Sequence, residues 1–174
     1  MGDYPEALSL CIEALKTRKN ILGENHPDYF TSLCDLADIY VYTGKYDTAK
    51  ILLQQALIKR KEVLGPQHPD YAETIKNLGL IYCKMGNLKD GGSMLLQANN
   101  VKLSHLIKTN STLSEQEKIT RLDEELKQFY YLPSLLYTSK AIQPKMLQQV
   151  YANELCLKGM ALEEQQLFAN DHFI

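Results

Sequence analysis

Apolar residues recur at helical spacing along this chain, and the whole pattern returns after 42 residues. Between positions 27 and 43, Leu33, Leu36, Ala37, Ile39 and Tyr40 make one face of a helix. Between positions 46 and 64, Ala49, Leu52, Leu53, Ala56, Leu57 and Leu64 make another, with Lys50, Lys59, Lys61 and Glu62 on the solvent side. Thr43-Gly44-Lys45 separates the two stretches and Gly65 closes the second, because glycine supplies the left-handed turn that ends a helix. Pro27 suits a first helical turn, where its missing N–H costs nothing, and Asp28 sets a negative charge at the positive end of the helix dipole. The spacing therefore predicts an antiparallel helix pair over 27–64. Leu36/Leu78, Ile39/Ile81, Tyr40/Tyr82, Leu53/Leu95, Ala56/Ala98 and Leu64/Leu106 predict a second pair of the same design. Small residues at Ala37/Gly79 and Ala56/Ala98 allow the helices to approach closely. Ala7, Leu10, Ala14, Leu15, Arg18 and Lys19 match Ala49, Leu52, Ala56, Leu57, Arg60 and Lys61, so the N-terminus reads as half a unit. A fixed period of this size means stacked helix pairs rather than one closed core.

The turns between units carry the most specific signal. Leu22-Gly23-Glu24-Asn25-His26-Pro27-Asp28 returns as Leu64-Gly65-Pro66-Gln67-His68-Pro69-Asp70, and Gly2-Asp3-Tyr4-Pro5-Glu6-Ala7 as Gly44-Lys45-Tyr46-Asp47-Thr48-Ala49. A third copy has drifted to Gly86-Asn87-Leu88-Lys89-Asp90-Gly91. This unit resembles the tetratricopeptide repeat in its long, kinesin-light-chain-like form. The resemblance implies an all-α chain, a short right-handed superhelical solenoid of antiparallel helix pairs with a C-terminal helical cap or linker. It further implies an array over residues 1–106, as a half repeat over 2–22 and full repeats over 23–64 and 65–106, with a cap over 107–174. The chain opens in the second helix of a repeat whose first helix is missing, which implies a piece of a longer protein.

Beyond Leu106 the period lapses, since Ile107-Lys108-Thr109-Asn110-Ser111-Thr112 stands where another glycine turn is due. Ser114-Glu115-Gln116-Glu117 is a capping box for a helix bearing Ile119, Leu122, Leu126 and Phe129, and Pro133 breaks the chain after it. A further helix begins near Pro144. Leu103-Ser104-His105-Leu106, the Leu113–Glu117 helix start and the run from Tyr151 to Leu162 resemble the segment joining such repeats to a CHAT domain, a caspase-like peptidase fold, in bacterial proteins. That resemblance implies an alternative role as the regulatory arm of a cysteine peptidase whose catalytic domain lies outside this chain.

Composition narrows the function classes. Nineteen Lys+Arg against 21 Asp+Glu leaves −2, which argues against a generic nucleic-acid or anionic-membrane surface. No apolar run approaches the ~20 residues that span a bilayer, and the first residues have neither basic n-region nor apolar h-region. The four cysteines include no CxxC pair, and three of them read as small buried hydrophobes of a cytoplasmic protein. Cys11 among them falls in register with the core positions Leu53 and Leu95. His26 and His68 stand one repeat apart, too far to share an ion, and close the turns before proline. Nothing sets a cysteine beside a histidine, and no phosphate-binding glycine motif occurs, so the sequence reads as a non-enzyme without cofactor or metal. Gly91-Gly92 falls inside a helix, where each glycine costs about 1 kcal/mol, for no reason visible in the sequence.

What remains is surface for a protein or peptide partner. In a stack of helix pairs the first helices line the concave side. Residues pointing off the core stripe there are Thr31, Asp35, Asp38 and Tyr42, with Glu73, Asn77, Leu80 and Lys84 in the next unit. In the family an asparagine on this face contacts a bound peptide's backbone. Asn77 matches that position and Asp35 departs from it, because a carboxylate accepts from a peptide N–H but cannot donate to its C=O. The half repeat leaves the stripe Ala7, Leu10, Cys11, Ala14 and Leu15 short of a neighbour, and with the apolar tail Leu167, Phe168, Phe173 and Ile174 this predicts either self-association through the terminal helices or a tail folded across an exposed stripe.

Overall fold

The computed structural model describes residues 4–110, with Ser114, Glu117 and Thr120 beyond them. Five helices follow one another: α1 (Tyr4–Leu22), α2 (Pro27–Tyr42), α3 (Tyr46–Val63), α4 (Pro69–Lys84) and α5 (Leu88–Asn110). The described residues contain no strand. Each helix packs chiefly on its neighbours in the chain, α1 on α2, α2 on α3, α3 on α4 and α4 on α5, which is how a stack of helix pairs is built. Both expected pairs are present, and the first has ends within one residue of those the pattern predicts.

The turns explain the bounds. Gly44 and Gly65 take φ of 74° and 89°, a left-handed conformation that costs other residues free energy and stops the helix. His26 and His68 then act as N-caps. The Nδ1 of His26 accepts the N–H of Asp28 at 3.2 Å, and that of His68 accepts the N–H of Asp70 at 3.1 Å. Each imidazole thereby satisfies one of the orphan donors at a helix start, with proline beside it in the first turn. At the start of α5 the Oδ1 of Asn87 accepts from the Asp90 N–H, and its amide donates to the Asp90 carboxylate at 2.7 Å.

The 42-residue echo is the core. Leu33, Leu36, Leu53 and Ala56 are buried, and so are their counterparts Ile75, Leu78, Leu95 and Ala98. Phe30, which the echo does not mark, is the largest side chain with no exposed surface. Ile39, Tyr40, Leu52 and Leu57 are half-buried, and the last three pack against the cluster. Helix α1 differs, since none of its residues is buried: Ala7, Cys11 and Leu15 are half-covered, while Leu10 and Ala14 face outward. Cys11 is therefore not the fully buried core residue that its register predicts, because among the described residues α1 packs chiefly on α2. Cys34 is buried and Cys83 half-buried. Cys156, the tail 167–174 and the predicted helices beyond Pro133 lie outside the described residues. At Ser114 half of the expected capping box is present. Glu117 accepts from the Ser114 N–H at 3.0 Å, and the hydroxyl donates to the same carboxylate oxygen at 2.6 Å, because a carboxylate is the stronger acceptor within its reach.

Gly91 has a packing role. A Cβ built on it falls 2.5 Å from the Cys83 Sγ and 2.7 Å from the Gly79 carbonyl oxygen, so α4 and α5 meet at a contact too tight for any side chain. Gly79 and Gly91 occupy the places of Ala37 and Ala49 one repeat earlier, and the second pair closes more tightly for it. Gly91→Ala gains about 1 kcal/mol of helix propensity. It must also push backbone against backbone, which costs about 1–3 kcal/mol. Urea unfolding is expected to show a net loss of stability; a stabilised variant would mean the helices can separate freely.

Candidate functional site

Helices α2 and α4 present the eight candidate residues at equivalent register, and the structure divides them. Thr31 and Glu73, at the N-terminal end of the face, are taken up in links between helices. The Thr31 hydroxyl donates to the Pro27 carbonyl and accepts from Arg60 Nη2 at 3.3 Å. Glu73 pairs with Lys76 on its own helix and with Lys102 of α5 at 2.9 Å. These two links are the same link one repeat apart, since Arg60 and Lys102 occupy equivalent positions.

Arg60 is the residue that periodic reasoning missed. It is only 6% exposed, and its guanidinium donates to the Asp70 carbonyl at 2.9 Å and the buried Thr74 hydroxyl at 2.8 Å as well as to Thr31. One side chain of α3 thus ties the helix before it to the helix after it. Its Nε has no partner among the described residues. Arg18 makes the downstream half of the same link at lower burial, donating to the Asp28 carbonyl at 3.2 Å and to Ser32 Oγ at 2.7 Å, both on α2. A signal was available: Ala49, Leu53 and Ala56 continue to Arg60 at helical spacing, so the arginine sits on the core stripe and not opposite it.

Of the remaining six candidates, four border the groove between α2 and α4. Asp38, Asn77, Leu80 and Lys84 line a cleft of about 80 Å³ whose apolar walls are Val41, Leu53 and Ile81. Asp35 stands one turn before Asp38 on the same wall. Tyr42, 73% exposed, stacks on Tyr4 of α1 with ring centroids 6.3 Å apart, an aromatic contact between successive pairs.

Electrostatics sets the two walls apart. Partial burial pushes the Asp38 carboxyl above the usual aspartate value of 3.8, and the neighbouring Asp35 and Glu73 carboxylates push it the same way, with Lys76 opposing. Burial also opposes ionisation of Glu73, but the ammonium groups of Lys76 and Lys102 overcome it and hold that carboxyl below its usual range. The two lysines prevail at Glu73, whereas at Asp38 burial and the neighbouring carboxylates outweigh Lys76.

Larger furrows run along the outer side, about 390 Å³ between Lys19, Tyr29 and Ile58 and about 450 Å³ along Ser93, Gln97 and Asn100 of α5. Gln55, Ile58 and Lys59 line the first, and their counterparts Gln97, Asn100 and Val101 line the second. The repeat itself generates both. Burial drives the Cys34 thiol up to about 11 and raises that of Cys83, so neither supplies a thiolate at neutral pH. Among the described residues no group of three or more His, Cys, Asp or Glu could hold a metal ion, and no helix is long and apolar enough to cross a membrane.

Asp38 lowers stability when ionised, and the sign follows from its raised carboxyl. Between the unfolded and folded values the native state binds more protons, so this group's contribution falls as pH rises through that window. Asp38→Asn is therefore expected to raise the melting temperature at pH 7, with the gain vanishing as pH falls to 3.8 and below. A lower melting temperature at pH 7 would mean that the carboxylate is compensated after all.

The family profile of the tetratricopeptide repeat matches residues 1–57 and 42–90. Among solved structures, the chain is similar to the nearly identical TPR-like repeats of a Podosopora anserina protein assigned to the kinesin light chains. Identity is 20%, the match covers 97% of this chain and 85% of that one, and the TM-score is 0.55. A single-substitution variant of that same protein gives the same identity and coverage with a TM-score of 0.54. BtubC (BKLC) from P. vanneervenii matches at 20% identity over 97% of this chain and 70% of that one, with a TM-score of 0.50. At this identity the likeness shows the fold, a helical repeat solenoid. No curated protein matches the chain. The family match stops at residue 90, and the run from 151 to 162 that resembles a CHAT-domain linker lies outside the described residues.

Proposed function

Because the chain belongs to the tetratricopeptide repeat family, whose members mediate protein–protein interactions, we propose that it is a non-catalytic scaffold binding a protein or peptide partner along the α2–α4 groove. The observation that carries this reading is the cleft where Asp38, Asn77, Leu80 and Lys84 meet over an apolar floor. Asn77 is half-buried at its edge, and an amide offers both a donor and an acceptor to an extended backbone. Asp35 offers an acceptor alone. Together they can hold one strand of peptide by its main chain while the cleft takes a side chain, a division of labour that gives affinity to the backbone and selectivity to the pocket.

The test uses a peptide selected from a displayed random library against the intact chain. Two lost hydrogen bonds at about 0.5–1.5 kcal/mol each predict a loss of affinity of roughly 5- to 150-fold for Asn77→Ala combined with Asp35→Ala. Neither residue is on the packed stripe, so the melting temperature should stay nearly unchanged. A large fall in stability with unaltered affinity would show that another face binds.

Helix α1 supports a second, compatible reading. Leu10, Ala14 and Ile21 share one face of it, and Leu10 and Ile21 are 59% and 75% exposed. That face suits self-association between copies of the chain. Sedimentation equilibrium should show a dimer that Leu10→Ser with Ile21→Ser converts to monomer; a monomer at high concentration from the unaltered chain disposes of this reading.

A further inference from the structure

The α2–α4 groove is charged unevenly, and the imbalance bears on what it can hold. Asp35 and Asp38 lie one turn apart on α2, and neither forms an ion pair among the described residues. Across the groove Glu73 is already neutralised by Lys76 and Lys102. Lys84 lies at the far end of the cleft and is exposed. The middle of the groove is thus an acidic wall facing an amide, with an apolar pocket between them. Two like charges this close, one of them partly desolvated, repel each other, and the low-dielectric wall strengthens what each would gain from an incoming cation. The cleft of about 80 Å³ is open to solvent on one side and walled mainly by Val41, Leu53, Leu80 and Ile81, which suits a short aliphatic side chain.

We infer that the groove takes an extended peptide that sets a lysine or arginine against Asp35 and Asp38 and seats a short aliphatic side chain over Leu53. The inference rests on the α2–α4 face being the peptide-binding face, and it adds the chemistry of the occupant. Charge complementarity selects a cation at this point because the α2 wall holds two carboxylates without a close ion-pair partner among the described residues, the influence of Lys76 on Asp38 being outweighed, and α2 has no ammonium group of its own. The shape of the cleft selects the aliphatic neighbour. The arrangement also explains why Asp38, whose ionisation is disfavoured in the free protein, stands here. A carboxylate whose ionisation is unfavourable in the free protein gains most when a partner supplies the missing charge.

The experiment is selection of random linear dodecapeptides on the full chain, followed by affinity measurements on the enriched sequences. Enriched peptides are expected to carry Lys or Arg within two residues of Ala or Val. Asp35→Asn with Asp38→Asn should weaken such a peptide at least tenfold, and so should replacing its basic residue by alanine. Combining the two changes should add little, because both remove one interaction. Asp35→Lys with Asp38→Lys should turn the selection toward Asp- and Glu-bearing peptides. Since the asparagine variant is expected to be at least as stable as the unaltered chain, lost binding cannot be put down to unfolding. Peptides that depend on Asn77 but carry no basic residue, or that bind the asparagine variant equally well, overturn this inference and leave the peptide-binding reading standing. If no peptide is enriched, or those enriched are indifferent to Asn77 and to both aspartates, the two readings fall together.

Discussion

The spacing of α2 and α4 depends on one buried cation. Arg60 reaches from α3 to the first turns of α4 and to Thr31 of α2, and it holds both through neutral acceptors. Such acceptors are poor compensation for a desolvated guanidinium, so the site is stable only while all of them are in place. A merely apolar residue at this point would fill space between the helices. It would not fix the angle and distance at which successive first helices stand. Hydrogen bonds with defined directions do that, and the groove is bounded by those two helices.

This constraint organises the groove from one end. At its N-terminal end Thr31 and Glu73 are occupied by the Arg60 and Lys102 links and serve as struts. Toward the C-terminal end the helices are free to present Asp35, Asp38, Asn77, Leu80 and Lys84 to solvent, over a floor contributed by Leu53. The close contact of Gly79 with Gly91 seats α5 against α4 on the other side. Rigidity at one end and acidic charge without a close ion-pair partner in the middle suit a surface that meets a partner with little reorganisation.

Much of this was legible in the sequence because helical repeats write their core into a fixed register. The stripes of α2 and α3, the glycine turns and the histidines before proline all carry local physical causes, and a one-residue error was the largest at any predicted bound of those helices. Phe30 escaped because its counterpart is Ala72, so the identities that define the repeat do not mark it. Gly91 escaped because a glycine in a helix declares a cost but not the neighbour that demands it, and only the approach of Cys83 and Gly79 supplies the reason. The eight surface positions could be placed on a face from spacing alone. Which of them would be tied to Arg60 or Lys102 could not, because those links join residues 29 positions apart through three-dimensional proximity. Arg60 continues the stripe of Ala49, Leu53 and Ala56, and a cation in that register is the sign of a buried clamp.

The most direct test of this account is the affinity of Arg60→Met for a peptide selected on the unaltered chain, measured well below the variant's unfolding midpoint. Methionine retains much of the aliphatic length and removes the hydrogen bonds that span α2, α3 and α4. Arg60 is buried at the N-terminal end of the groove and does not line the cleft, yet if it sets the spacing of the two walls the affinity should fall about tenfold or more, equivalent to about 1.4 kcal/mol. A folded variant that binds the peptide as tightly as the unaltered chain would contradict the claim that this buried arginine holds the binding surface in shape.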